Sequence, residues 1–169
     1  IVFKGNQTVV GWDRRRNPTK SIKLQTNGLN TSWRKNAFRA FIFKATFAKG
    51  NDITLRVNAE FKTKNKAEEQ AIKYAKMIGQ LPNFLRTKRL KTVTIHKGFY
   101  PWGGGKDDVL IHTEYYTGNL KKYTEEVLLH EAGHTTLDPR ALGSVNSYKW
   151  NKAIKADNKF ISKYARQFP

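Results

Sequence analysis

An α+β fold is predicted by three observations along this chain of 169 residues. Short runs of alternating apolar and polar residues fill 1–61, as half-buried strands do. Helix-period stripes occupy 66–80 and two stretches after residue 118. Two strand-like runs, 90–96 and 108–116, lie between the helices. With 38% hydrophobic and 12% aromatic residues, the chain can bury a real core.

Taken in order, 7–12 and 21–25 read as short strands, and 38–47 and 53–61 as longer ones. In the last of these, Ile53, Leu55, Val57, Ala59 and Phe61 alternate with Thr54, Arg56, Asn58 and Glu60. The first helix, 66–80, has Ala67, Ala71, Ile72, Ala75 and Ile78 on its apolar side and stops at Gly79 and Pro82. Residues 98–105, ending in Gly103-Gly104-Gly105, read as a loop. A second helix starts at Gly118-Asn119, with Asn119 as N-cap. A last one covers 147–166. A β-rich part (1–65) is thus followed by a mixed part (66–169), expected to form one compact unit. No repeat or low-complexity segment interrupts them.

The net charge is +19. Residues 1–65 hold 14 Lys and Arg against 3 Asp and Glu, and 66–169 hold 18 against 10, so the excess is spread along the chain. Such a field attracts polyanions: nucleic acid, anionic glycan or an anionic membrane surface. Arg14-Arg15-Arg16 is the densest candidate contact. No apolar run approaches 18 residues, so no transmembrane helix is expected. Cysteine is absent, which removes disulfides and thiolate ligands. The chain begins at Ile1 and is expected to be a mature product of leader removal. Asn6-Gln7-Thr8 and Asn30-Thr31-Ser32 fit the N-glycosylation pattern.

The second helix carries His130-Glu131-Ala132-Gly133-His134, two of the four His in the chain. Residues four apart share a helix face, so both imidazoles can grip one metal ion. Glu131 is then placed to act on a metal-activated water. Leu120, Tyr123, Val127, His130, Glu131 and His134 recur at helical spacing and are expected to form one buried stripe.

This His-Glu-x-x-His pattern, with the element order over 66–169, resembles the zincin metallopeptidases. The resemblance implies a zincin-like catalytic domain with a β-rich N-terminal part, a zinc cofactor and a protein or peptide substrate. It also makes 109–116 the substrate-binding edge strand. Catalytic zinc takes three protein ligands. The metzincin continuation fails, since Leu137 and Arg140 stand where Gly and His would. No Glu or His follows His134, so a thermolysin-like ligand is missing as well. The downstream acids are Asp138 and Asp157, and an Asp ligand would be aspzincin-like. The aspzincin Gly-Thr-x-x-Asp signature is not matched by Gly143-Ser144-Val145-Asn146-Ser147. Asp138 precedes Pro139, where the chain leaves the helix readily. Asp157 sits amid Trp150, Ala153, Ile154, Phe160, Ile161 and Tyr164. An upstream ligand stays open.

For the oxyanion of peptide hydrolysis, Tyr148 is the candidate donor, with Tyr115, Tyr116 and His112 as others. His96 reads as a core or surface residue. The glycine run lacks the Lys-Ser/Thr of a phosphate loop and reads as a flexible rim. The expectation is a secreted zinc-dependent endopeptidase with Glu131 as general base. The alternative is a basic polyanion-binding protein or toxin on the same scaffold.

Overall fold

The computed structural model describes residues 1–15, 22–23, 34–87, 89–137 and the single positions 148, 152, 155 and 156. The expected last helix, 147–166, lies outside the described residues apart from those four positions.

The chain is α+β. Its strands are β1 (Val2–Asp13), β2 (Ile22–Lys23), β3 (Arg34–Ala45), β4 (Ile53–Asn58), β5 (Thr92–His96), β6 (Gly103–Gly105) and β7 (Asp108–His112). The helices are α1 (Lys64–Gln80), α2 (Asn83–Thr87) and α3 (Thr124–Leu137). The strands form one sheet in the order β1-β3-β4-β5-β7-β6, with β2 also pairing β3. β4, β5 and β7 run parallel, and the pairings at both ends of the sheet are antiparallel. Parallel neighbours need a long crossover, which α1 supplies between β4 and β5. The parts before and after residue 65 therefore share one sheet.

The alternation in β4 resolves as read: Ile53, Leu55 and Val57 are fully buried. They face α1 and α3 together with Val93, Ile95, Val109, Ile111, Ala71, Ile78, Leu128 and Ala132 in the main core. The strand stops at Asn58 instead of running to Phe61. The Asn58 side chain accepts the Glu60 N–H at 3.1 Å and starts a 3-10 turn over Ala59–Phe61. Thr63 caps α1 by accepting the Lys66 N–H at 3.3 Å. On α1 the expected Ile72 is 40% exposed, and Tyr74 is buried in its place, edge-on to Trp102 at 5.6 Å. Leu81 turns extended ahead of Pro82, ending the helix as proline requires.

Two expectations about the sheet need correction. The 98–105 stretch is not all loop: Gly103–Gly105 pairs antiparallel with β7 and forms the sheet edge. The 108–116 strand ends at His112, and β7 lies between β5 and β6, so 109–116 is not the edge strand. The start of the motif helix also differs. Gly118–Tyr123 is a 3-10 turn following Thr117, without a side-chain cap from Asn119, and α3 begins at Thr124. This extra turn carries Leu120 and Tyr123 out of the predicted stripe; they are 36% and 42% exposed. The buried face of α3 is instead Leu128, Ala132, Thr135 and Thr136.

The opposite sheet face carries Thr94, His96, Asp108 and His112, all buried. The end of β1 crosses it. A Cβ at Gly11 would lie 3.0 Å from the Phe38 ring and 3.4 Å from Thr94 Oγ1. The Trp12 carbonyl accepts from His96 Nε2 at 2.9 Å. Among the described residues, no helix is long and apolar enough to cross a membrane.

Candidate metal centre

His130 and His134 sit one turn apart on α3, where a 3.6-residue period stacks i and i+4. Their Nε2 atoms converge to 3.0 Å, with ring centroids 4.6 Å apart. Two imidazoles on one tetrahedral zinc, at about 2.0–2.1 Å each, place their nitrogens about 3.3 Å apart. The pair is therefore preset close to chelating geometry. The ligand atoms of His130, Glu131 and His134 lie within 4.8 Å of one another. His130 is exposed and His134 half-buried, so the site opens to solvent along one side of the helix.

Glu131 is held from the sheet edge. The Gly104 N–H donates to its carboxylate, and Gly104 packs against its main chain. A Cβ on Gly104 would overlap the Glu131 carbonyl oxygen and lie 2.6 Å from its carbonyl carbon. Only glycine permits that approach. Burial raises the Glu131 pKa, while His130, His134, Arg14 and the Gly104 N–H oppose the rise. A carboxyl displaced in this direction accepts a proton more readily near neutrality, as a general base does.

Arg14, expected to meet polyanions, instead lies within electrostatic reach of Glu131, Tyr115 and Tyr116. Tyr116 shares this neighbourhood; burial, Tyr115 and Glu131 raise its pKa. Tyr115 and Tyr116 contact each other at 4.9 Å and extend to Phe99 and Trp102, which walls this flank with aromatic rings. Arg15 does not face solvent as a polyanion contact. Its guanidinium is taken by Asp13 at 2.8 Å and Glu60 at 2.6 Å. Tyr148 is 70% exposed. His112 is not at the metal centre: it is fully buried on the opposite sheet face, with His96. Asp138, Asp157 and Arg16 lie outside the described residues, and among the described residues the cluster is His130, Glu131 and His134.

Sequence reading missed Gly104, although glycine in a strand is itself a signal of close backbone approach. It also missed the buried polar cluster at the end of β1. There, burial drives the His96 and His112 pKa values down to about 4. Unfolded histidine titrates near 6.5. Between these values the unfolded chain binds more protons, so stability is full above pH 6.5 and is lost as pH falls toward 4. The loss expected at pH 4 is about 3 kcal/mol per histidine. Asp108, whose pKa burial raises to about 6, works in the opposite direction over part of this window. The urea midpoint should therefore drop by less than the two histidines alone would give; a rising midpoint would contradict the burial of two neutral imidazoles.

With this geometry in hand, comparison with known proteins adds no relative: no family model, curated protein or solved structure matches the chain.

Proposed function

We propose that the chain is a zinc-dependent metalloendopeptidase of zincin type. The observation that carries this reading is the convergence of His130 and His134 Nε2 at 3.0 Å beside a Glu131 carboxyl held by the Gly104 amide. A metal-only site has no need of that carboxyl. His130 and His134 would hold the zinc, which would supply Lewis-acid polarisation of a scissile carbonyl and acidify a water. Glu131 takes the water proton and passes it to the departing amine. Arg14 and Tyr116, both within electrostatic reach of Glu131, would oppose negative charge developing on the carbonyl oxygen. β6, at the end of the sheet, offers an edge for an extended peptide, which hydrogen-bonds through its main chain. For the third ligand the proposal keeps Asp138, with Asp157 as the alternative, and an upstream ligand stays open.

An extracellular setting is part of the proposal, supported by the exposed Asn6-Gln7-Thr8 sequon. The +19 charge supports localisation on anionic surfaces. It gives less support to a pure polyanion-binding protein, because Arg15 is consumed in internal ion pairs and Arg14 lies beside Glu131.

The test is cleavage of a mixed peptide library. We expect endoproteolytic products that vanish on chelation and return with added zinc. Cleavage indifferent to chelators would contradict the proposal.

A further inference from the structure

The end of β1 is bound into a chain of hydrogen bonds on the sheet face opposite the main core, and one longer histidine–carboxylate contact closes it into a ring. Asp13 accepts from the Arg15 main-chain N–H at 2.9 Å and from its guanidinium at 2.8–3.2 Å. Arg15 also donates to Glu60 Oε2 at 2.6 Å. Glu60 Oε1 accepts the Lys97 N–H at 2.7 Å, and the Lys97 carbonyl lies 3.1 Å from His112 Nδ1. His112 Nε2 then faces Asp13 Oδ1 at 3.9 Å, closing the ring.

The two buried histidines differ in one respect. His96 uses both ring nitrogens: Nε2–H donates to the Trp12 carbonyl at 2.9 Å, and Nδ1 accepts from the Asn58 amide at 2.9 Å. It cannot take a proton without losing Asn58. The carbonyl at its Nδ1 makes His112 the opposite tautomer, Nδ1–H, so its Nε2 is a bare acceptor. That atom is buried without a hydrogen-bond partner and is aimed at a carboxylate. Of the histidine nitrogens in this cluster, His112 Nε2 is the one buried without a hydrogen-bond partner, so it takes a proton without breaking a bond. His96 Nδ1, 3.8 Å from Glu60 Oε1, is held by Asn58. The charged groups facing it are Asp13, Arg14 and Arg15 from the end of β1, and Glu60 lies across the ring. The neutral His96 and Tyr100 rings complete its surroundings at 5.4 Å.

Arg14 stands between this ring and the metal centre: its neighbour in sequence is locked by Asp13 and Glu60, and its own charge acts on Glu131. We propose that His112 is a proton-operated positioning residue that sets, through Asp13 and Arg15, where Arg14 sits against Glu131. Unprotonated, His112 leaves Asp13 wholly to Arg15. Protonated, its N–H⁺ competes for Oδ1, the oxygen that Arg15 N and Nε both use. A charge-assisted bond closes to about 2.8 Å, so Asp13 must move by about 1 Å and carry the β1 end with it. The burial that depresses the His112 pKa places this event in the acidic range. Acidification thus shifts Arg14, independently of the metal ligands themselves. The effect on turnover rests on the peptidase reading; the effect on Arg14 does not.

The experiment uses the full, zinc-loaded, ¹⁵N-labelled chain and the variant His112→Gln, whose amide puts a permanent donor where Nε2 stood. Long-range ¹H–¹⁵N spectra at neutral pH should show His96 as the Nε2–H tautomer and His112 as Nδ1–H. On acidification the Arg14 Nε–H resonance should move with the His112 midpoint. In His112→Gln it should start near the acid position and lose that midpoint. Zinc should be retained in the variant, while kcat falls on the order of tenfold to a hundredfold, as for an ångström-scale misplacement. An Nε2–H tautomer at His112 would overturn the proposal. So would an Arg14 response that persists unchanged in His112→Gln. Should that variant not fold, the wild-type tautomers and the shared midpoint decide alone. Coupled midpoints in a chain that cleaves no peptide would sink the peptidase reading and leave the ring intact.

Discussion

On the proposed peptidase reading, replacing Glu131 by Gln is expected to cut peptide hydrolysis severely and to leave zinc binding in place. Gln keeps the shape of the side chain, and its carbonyl oxygen can still accept the Gly104 N–H that holds Glu131. His130 and His134 are untouched, so the chelating pair survives. What disappears is the proton acceptor. General acid–base groups contribute about 10²–10⁴-fold, and kcat should fall by that amount with little change in KM. Turnover within tenfold of the parent protein would remove Glu131 from the mechanism. Loss of zinc in this variant would make Glu131 a ligand instead of a base.

The second large effect is at Gly104. A methyl group there has nowhere to go: the obstructing atoms are the Glu131 main chain, 2.6 Å and 3.0 Å away at its carbonyl carbon and Cα. Backbone cannot rotate aside as a side chain does, so β6 and α3 must separate. That separation breaks the N–H bond to the Glu131 carboxylate and opens the packing of α3 on the sheet edge. Gly104→Ala is expected to cost about 3 kcal/mol or more and to eliminate hydrolysis. Gly105→Ala is the matched control, because a Cβ at Gly105 meets nothing within 4 Å. That control should stay within about 0.5 kcal/mol of the parent protein in urea unfolding. Equal stability of the two variants would show that β6 and α3 are not in the contact described.

Much of this arrangement is legible in the sequence where the cause is local. The 2-residue alternation of Ile53, Leu55 and Val57 marks β4 because a pleated strand turns alternate side chains to one face. Pro82 marks the end of α1 through ring sterics that act within a few residues, whereas the Thr63 cap, which starts the helix at Lys64, goes unread. The pairing of His130 with His134 follows from helix periodicity alone. The failures share a different cause. Gly103–Gly105 has no apolar pattern and becomes a strand only because β7 is beside it. Asp13, Arg15, Glu60, His96 and His112 are brought together largely by contacts between distant parts of the chain, such as Arg15 with Glu60, 45 residues apart, and His96 with Trp12, 84 apart. Arg14-Arg15-Arg16 therefore reads in the sequence as a polyanion contact, although Arg15 is paired inside the fold. Leu120 and Tyr123 fit a helical stripe, but a 3-10 turn with three residues per turn changes the face they present.

These contacts give the N-terminal strands a part in the proposed site. β1 delivers Arg14 to Glu131, and β6 holds the carboxyl from the other side. In this account the proposed peptidase centre is assembled by both halves of one sheet, not by the motif helix alone.

The central claim is that His130 and His134 hold a catalytic metal ion. Zinc per chain, measured by elemental mass spectrometry on the purified protein beside a His130→Ala/His134→Ala variant, tests it most directly. The account predicts close to one zinc in the parent protein and essentially none in the variant. No zinc in the parent after reconstitution at neutral pH, or equal zinc in both proteins, would contradict it.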